Sequence, residues 1–210
     1  MEKNSREAGS GGSKTDAITA VVLAAGLGRR MLGPNKLLLP VHGEAMVRRV
    51  VEQALASRCG RVLVVLGFEA ARVRQALEDL PVEFVVNEGF EEGLGSSVRA
   101  GALAVRDGSA AVICLGDMPL VDAPVIDALI HAYETGAGVK ACQPLYDGRR
   151  GNPVLWGADC LPDLRRLGGD EGARALLLRL GGALALVDAP SPAVLRDIDT
   201  PDDLRSLEDS

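Results

Sequence analysis

The order of sequence patterns predicts an α/β fold, with a mostly parallel β-sheet and helices on both faces. Three observations predict it. Apolar runs of strand length alternate with helical segments four times between residues 18 and 133. Those runs are rich in Val, Ile and Leu with no polar alternation, as in strands buried on both faces. The 210-residue chain is 47% hydrophobic and 25% charged, which suits one domain with a substantial core.

Ile18–Ala24 reads as the first strand, and Leu23 to Lys36 after it as a glycine-bearing loop. A helix is expected after Gly43, where Met46/Val47, Val50/Val51 and Ala54/Leu55 recur at four-residue spacing. Cys59-Gly60 is expected to end it. Arg61–Leu66 reads as a strand, Glu69–Leu80 as a helix stopped by Pro81, Glu83–Val86 as a strand and Asn87–Gly95 as a polar loop. Ser96–Val105 reads as a helix and Ala110–Leu115 as the fourth strand. Asp122 can cap a helix running to Tyr133, with Pro124 in its first turn. After Gly138 the rhythm changes. Val139–Leu145, the turn Asp147-Gly148 and Gly151–Trp156 predict a β-hairpin insertion. Helices near Leu161–Arg166 and Gly172–Leu180, a strand at Ala183–Val187 and a helix capped by Thr200 complete the chain.

Residues 1–16 are polar and Gly/Ser-rich and are expected to form a disordered tail ahead of one domain at 17–207. No apolar run reaches the ~18 residues of a membrane span. The net charge of −6 and 3% aromatic content argue against a nucleic-acid partner. The cysteines Cys59, Cys114, Cys142 and Cys160 are scattered without a Cys-x-x-Cys pair, so reduced thiols in a cytoplasm are expected. His42 and His131 stand apart from any nucleophile.

Six groups can carry chemistry. Between Gly26 and Pro40 lie Arg29, Arg30 and Lys36 with no Asp or Glu. A basic, glycine-bearing loop after a parallel strand suits a phosphate chain, against the plainer alternative of a charged surface loop. A dinucleotide loop fits less well, because Met31 stands where the third glycine belongs and Pro34 and Pro40 keep the chain irregular. Asp117, in Leu-Gly-Asp-Met-Pro, follows the fourth strand at the same sheet edge. There it can hold Mg²⁺ against phosphates, or simply form a turn. In Asp-Ile-Asp-Thr-Pro-Asp-Asp, residues 197–203, Asp202 and Asp203 are explained by the helix start. Asp199 is the better candidate to join Asp117 at a metal, with a solvated acidic turn as the alternative. Gly95, Ser96 and Ser97 offer hydroxyls to a base or ribose, or cap their helix. Arg149-Arg150-Gly151-Asn152-Pro153 makes a basic hairpin edge for a second anionic substrate. Asp170 reads as a helix cap, and Arg174 as a substrate contact or a surface charge.

Taken together, Leu-Ala-Ala-Gly-Leu-Gly-Arg-Arg-Met with Lys36, Gly-Leu-Gly-Ser-Ser-Val at 93–98, Gly-Asp-Met-Pro at 116–119, Arg-Gly-Asn-Pro-Val-Leu at 150–155, Gly-Asp-Glu-Gly-Ala-Arg at 169–174 and Asp-Ile-Asp-Thr-Pro-Asp-Asp-Leu at 197–204 resemble the MobA-like nucleotidyltransferases. The molybdenum cofactor cytidylyltransferases among them are the nearer match. The resemblance covers residues 16–207 and implies a Rossmann-like, three-layer nucleotidyltransferase fold. It implies that Leu23, Ala24, Ala25, Gly26, Gly28, Arg29, Arg30, Lys36 and Gly116 bind the nucleotide and its phosphates, and that Gly95, Ser96 and Ser97 meet its base or ribose. Lys36, Arg30 and Asp117 would be catalytic, and Asp117 and Asp199 would hold Mg²⁺. Arg150, Gly151, Asn152, Pro153, Asp170 and Arg174 would face the pterin substrate. Leu-Ala-Ala-Gly resembles the cytidine version more than the guanine one. One departure is Leu32, which separates the Arg-Met pair from Gly33.

The reaction so implied is transfer of CMP from CTP to the terminal phosphate of molybdopterin, with release of pyrophosphate. The implied partners are CTP and molybdopterin, with a client molybdoenzyme or its chaperone to receive the product. Three alternatives stay open at this point: GTP or another acceptor with the same chemistry, a NAD(P)-dependent oxidoreductase, and a non-catalytic cofactor carrier.

Overall fold

The computed structural model describes residues 14–26, 35–168 and 173–208. Its strands are β1 Thr15–Ala24, β2 Pro40–Val41, β3 Glu44–Ala45, β4 Cys59–Leu66, β5 Glu83–Val86, β6 Ala110–Leu115, β7 Ala141–Tyr146, β8 Arg149–Arg150, β9 Val154–Trp156 and β10 Leu184–Asp188. Its helices are α1 Met46–Ala56, α2 Ala70–Gln75, α3 Leu94–Ala104, α4 Ala123–Thr135, α5 Leu161–Leu164, α6 Arg174–Leu180 and α7 Pro201–Glu208. Among the described residues the main sheet runs β10-β7-β9-β6-β1-β4-β5, with β8 paired to β7. β1 is parallel to both β4 and β6, β4 to β5, and β10 to β7. β9 alone in that row runs against its neighbours, wedged between β6 and β7.

Strand alternation divides the core into two layers. Ala20, Val22 and Ala24 of β1 face α1 and α4, packing with Val47, Val51, Leu129 and Ile130. Val21 and Leu23 face α3, α5 and α6, packing with Val98, Leu164 and Leu177. The fold is therefore the three-layer α/β arrangement expected. Gly101 lets α3 settle onto β1, since a Cβ there would stand 2.4 Å from a Val21 methyl.

Several boundaries differ from expectation, and those of β1, β4, α2 and α3 have a local reason. β1 and β4 begin early, because Thr15 donates its N–H to the Arg58 carbonyl (2.9 Å) and pairs with Cys59. Thr15 and Asp16, expected in the tail, therefore belong to β1, while residues 1–13 lie outside the described residues. Cys59-Gly60 opens β4 rather than closing α1, which ends at Ala56. α2 is shorter than expected. Arg48 donates to the Ala76 carbonyl at 3.3 Å, and the chain beyond tightens into three-residue bonds such as Leu77 N–H to Arg74 O. α3 starts at Leu94 with Gly93 at its cap, so Ser96 and Ser97 sit inside the first turns and do not cap it. The expected strand pair after Gly138 is present as β7, β8 and β9. Asp147 and Gly148 both take positive φ in its turn, and the return leg is interrupted at 151–153 before β9 enters the sheet.

Candidate active site

The carboxyl ends of β1 and β6 lie side by side, because the Gly116 N–H continues the pairing to the Leu23 carbonyl at 3.0 Å. Asp117 is in the turn that follows. Its backbone carbonyl accepts from Ile198 N–H at 2.9 Å, which ties the segment before α7 to this edge. That segment is held from the other side by a capping box. Asp203 accepts from the Thr200 N–H (2.8 Å), the Thr200 hydroxyl (2.7 Å) and the Asp199 N–H (3.2 Å), while its own N–H donates to Thr200 Oγ1 at 3.2 Å. These bonds hold the Asp203 carboxyl below its ordinary range, with those from Thr200 the largest cause. Asp199 is thereby delivered to the strand edge, while Asp197 is exposed.

Lys36 opens a short 3-10 turn whose cap is Asn35. The Asn35 side chain accepts from Leu37 N–H at 3.1 Å and donates to the Phe68 carbonyl at 3.3 Å. The Lys36 ammonium donates to Asp117 Oδ2 at 2.7 Å and to Asp199 Oδ1 at 2.6 Å. Lys36 is only 8% exposed. Burial pulls its pKa down as the largest single influence, yet the charges and hydrogen bonds of the two aspartates together raise it above its ordinary value. The ammonium is therefore charged, and it lies between the two carboxylates singled out as metal ligands.

That donor set fits a hard divalent cation. Magnesium is commonly held by one or two carboxylates together with substrate phosphates, rather than by a full protein cage. No cluster of three or more His, Cys, Asp or Glu arranged for a metal occurs among the described residues. Two carboxylates drawn to one cation, here the ammonium, are already placed to share another.

Beside this ionic bay opens a cavity of about 720 Å³. Leu23 and Leu115 at the strand ends lead into it. Val98 of α3, Trp156 of β9 and Leu177 of α6 supply apolar walls, and Arg150, Asn152 and Arg174 supply its polar side. Gly151 and Pro153 are buried and serve the framework instead. Gly151 N–H donates to the Pro144 carbonyl at 2.8 Å, and a Cβ on Gly151 would lie 2.2 Å from the Val194 carbonyl oxygen. Asn152 N–H donates to that same carbonyl at 2.9 Å. The result is that Arg150 and Asn152 are presented on a braced edge.

Ser96 and Ser97 are buried, and their hydroxyls accept from Asn87 Nδ2 at 2.8 and 3.2 Å. Asn87 N–H in turn donates to the Leu66 carbonyl at 2.8 Å. The serines are thus engaged in a buried knot that fixes the start of α3, with Gly95 buried beside them. Ala24 and Ala25 are buried, while a Cβ on Gly26 would meet nothing within 4 Å among the described residues. Gly28, Arg29, Arg30 and Asp170 lie outside the described residues. Sequence reasoning missed Asn87, Trp156 and Gln143. The signal for Gln143 was present as one amide within the otherwise apolar run 141–145. The signal for Trp156, the one tryptophan of the chain, was its place at the end of the Asn-Pro-Val-Leu motif.

The model of the MobA-like NTP transferase domain matches residues 20–184. The chain belongs to this family. Among curated relatives, the nicotine blue oxidoreductase of Paenarthrobacter nicotinovorans is 30% identical over 94% of this chain and 99% of its own. The purine catabolism protein PucB of Bacillus subtilis is 34% identical over 89% and 93%. The molybdenum cofactor cytidylyltransferase of Escherichia coli is 28% identical over 89% and 93%. Among solved structures, Rv0371c of Mycobacterium tuberculosis superposes with a TM-score of 0.82 at 28% identity, covering 95% of this chain and all of that one, and a second structure of it is a complex with manganese. MobA-like membership supports nucleotidyl transfer as the activity class. The matched span stops short of Asp199, so the meeting of Asp199 with Asp117 on Lys36 comes from this structure rather than from the family match. No helix among the described residues is long and apolar enough to cross a membrane, and all four cysteines are buried as free thiols.

Proposed function

We propose that this MobA-like transferase moves CMP from CTP to the terminal phosphate of molybdopterin. The observation that carries the reading is the contiguity of the two sites. The ionic bay follows the ends of β1 and β6, and the cavity with Arg150 and Arg174 begins at Leu23 and Leu115 of those same strands. A nucleotide triphosphate on the bay and a phosphate-bearing ring in the cavity would meet at one edge. An oxygen of the acceptor phosphate attacks the α-phosphorus of CTP in line. The new P–O bond forms as the bond to the β-phosphate oxygen breaks, and pyrophosphate leaves with the electron pair.

Such a transfer needs positioning and charge neutralisation more than covalent help. Gly26 leaves room for the phosphates at the backbone. Lys36, a buried and charged ammonium between half-buried carboxylates, can follow the phosphate charge, with Arg29 and Arg30 proposed beside it on the leaving pyrophosphate. Arg150 and Arg174 hold the acceptor phosphate against its own repulsion from the triphosphate. Mg²⁺ held by Asp117 and Asp199 would supply Lewis-acid neutralisation of the reacting phosphate oxygens.

A second reading is favoured by the 30% identity to the nicotine blue oxidoreductase: hydride transfer with a nicotinamide cofactor. One experiment separates the two. Pyrophosphate release is followed with molybdopterin and each of CTP, GTP, ATP and UTP, with and without Mg²⁺, and NAD(P)H absorbance is followed with a quinonoid dye as electron acceptor. Metal-dependent release with CTP is the expected result. Release with GTP would move the base preference and leave the acceptor standing, and nucleotide-independent NAD(P)H oxidation would overturn the transferase reading.

A further inference from the structure

Gln143 is the third residue of β7. Alternation puts it on the same sheet face as Ala141, the face that carries Trp156, α3 and α6. It is 9% exposed and lines the cavity. Its Nε2 donates to the Gly151 carbonyl at 3.1 Å, while its Oε1 is buried and receives no hydrogen bond among the described residues. The committed Nε2 fixes how the carboxamide faces, because turning it over would set two carbonyl oxygens against each other. The side chain can therefore offer an acceptor here and not a donor. A buried acceptor left without a donor disfavours the folded state, and a methionine of similar size would avoid that penalty. The amide is explained if a donor arrives with a ligand.

We propose that Gln143 reads the acceptor substrate by taking a hydrogen bond from a ring N–H. The cavity thereby selects a planar heterocycle with an N–H donor edge over a phosphate-bearing sugar or alcohol that lacks such a ring. The proposal rests on the acceptor reading above and names the residue that enforces it. The apolar surfaces of Val98, Trp156 and Leu177 suit the faces of such a ring, and Arg150 and Arg174 suit its phosphate. A site that pairs a buried polar group with its substrate discriminates strongly, because an analogue without the donor leaves that group unpaired.

Trp156 is the only tryptophan of the chain and lines the same cavity, so its emission reports occupancy without any turnover. The probe is 6-hydroxymethylpterin monophosphate, titrated into the wild-type protein, Gln143→Met and Gln143→Glu, each first shown to melt cooperatively. Methionine and an ionised glutamate both lose the bond to Gly151, but only glutamate keeps an acceptor. Gln143→Met is expected to raise Kd about tenfold, the loss of one hydrogen bond of ~1.4 kcal/mol. Gln143→Glu is expected to stay within about threefold of wild type. Wild type should also bind about tenfold more weakly the same ring methylated at its amide and exocyclic nitrogens, a comparison that needs no variant to fold.

Equal weakening by Met and Glu would make Gln143 a brace for Gly151 and overturn the proposal. So would equal binding by all three proteins, or no loss on methylation, and in both cases the pterin acceptor would still stand. Absence of any pterin phosphate binding to wild type would overturn the proposal and the acceptor reading together. Cytidylyl transfer from CTP, measured separately, tests the nucleotide half alone.

Discussion

The two halves of the strand-end face are built on opposite plans. In the ionic bay the polar groups satisfy one another: Lys36 donates to both Asp117 and Asp199, and Ile198 and Asp203 lock the aspartates' backbone in place. In the neighbouring cavity, apolar walls carry exposed arginines, and one buried amide oxygen has no donor among the described residues. The bay resembles a site whose charges are stored against each other until a ligand's charges replace them. The cavity resembles one whose polar groups wait for the ligand itself. The difference follows from the chemistry each half has to serve. Two carboxylates near each other repel unless a cation lies between them, whereas exposed guanidinium groups are comfortable in water.

The largest effect is expected at Asp117. Asp117→Ala is expected to lower pyrophosphate release by a hundredfold or more, on the order of the loss of a charge-stabilising group, with a melting temperature within a few degrees of wild type. Activity near normal would remove this carboxylate from the reaction. Lys36→Met is next. Without nucleotide, the two carboxylates lose their resident cation, so the variant should hold Mn²⁺ several-fold more tightly than wild type, read from the free-ion signal in electron paramagnetic resonance. The same variant should bind CTP about tenfold more weakly by calorimetry, the loss of one charge-assisted contact. Unchanged Mn²⁺ affinity would show that the ammonium and a metal do not share those oxygens.

The arrangement of the bay was only half legible in the sequence. Lys36, Asp117 and Asp199 each stand out by motif, yet the contacts between them span 81 and 163 positions, and nothing local specifies them. The motif glycines and serines carried different amounts of information. Ser96 and Ser97 read as ligand or cap groups, but Asn87, nine and ten residues away, claims both hydroxyls inside the core. Strands fared best where an apolar run is bounded by turns: β5 and β6 have the bounds their sequences predict. They fared worst where backbone pairing recruits polar residues, as Thr15 and Asp16 in β1, or where a distant side chain cuts a helix short, as Arg48 does at Ala76. The three-layer α/β order survived these shifts because it rests on alternation and periodicity rather than on any one boundary.

On the cavity side, effects should be smaller and confined to one substrate. Arg150→Ala and Arg174→Ala are each expected to raise the KM for the phosphorylated acceptor roughly tenfold, the scale of one hydrogen bond to a charged group near solvent. The Kd for CTP should not move in either variant. A matching loss of CTP affinity would merge the two halves into a single anion site and dissolve the contrast drawn between them.

The mildest test acts on the bay from behind. Asp203 lies behind the bay, where it holds the backbone N–H of Asp199 and of Thr200. Asp203→Ala removes those acceptors and should cost about 1 kcal/mol as a lost helix cap. If the bay depends on where Asp199 is delivered, kcat should fall several-fold while the KM for the acceptor stays put, since the cavity is braced by other bonds. The pH dependence gives a second readout. The bonds from Thr200 hold the Asp203 carboxyl below its ordinary value of 3.8, so its contribution to stability is complete above that value and fades as acid takes the pH down through the lowered one. Wild type should therefore lose stability more steeply than Asp203→Ala on the acid side, followed by thermal melts from pH 5 downward. Parallel acid limbs would mean that the capping box adds nothing to the folded state, and that Asp199 reaches the strand edge by its Ile198 tether alone.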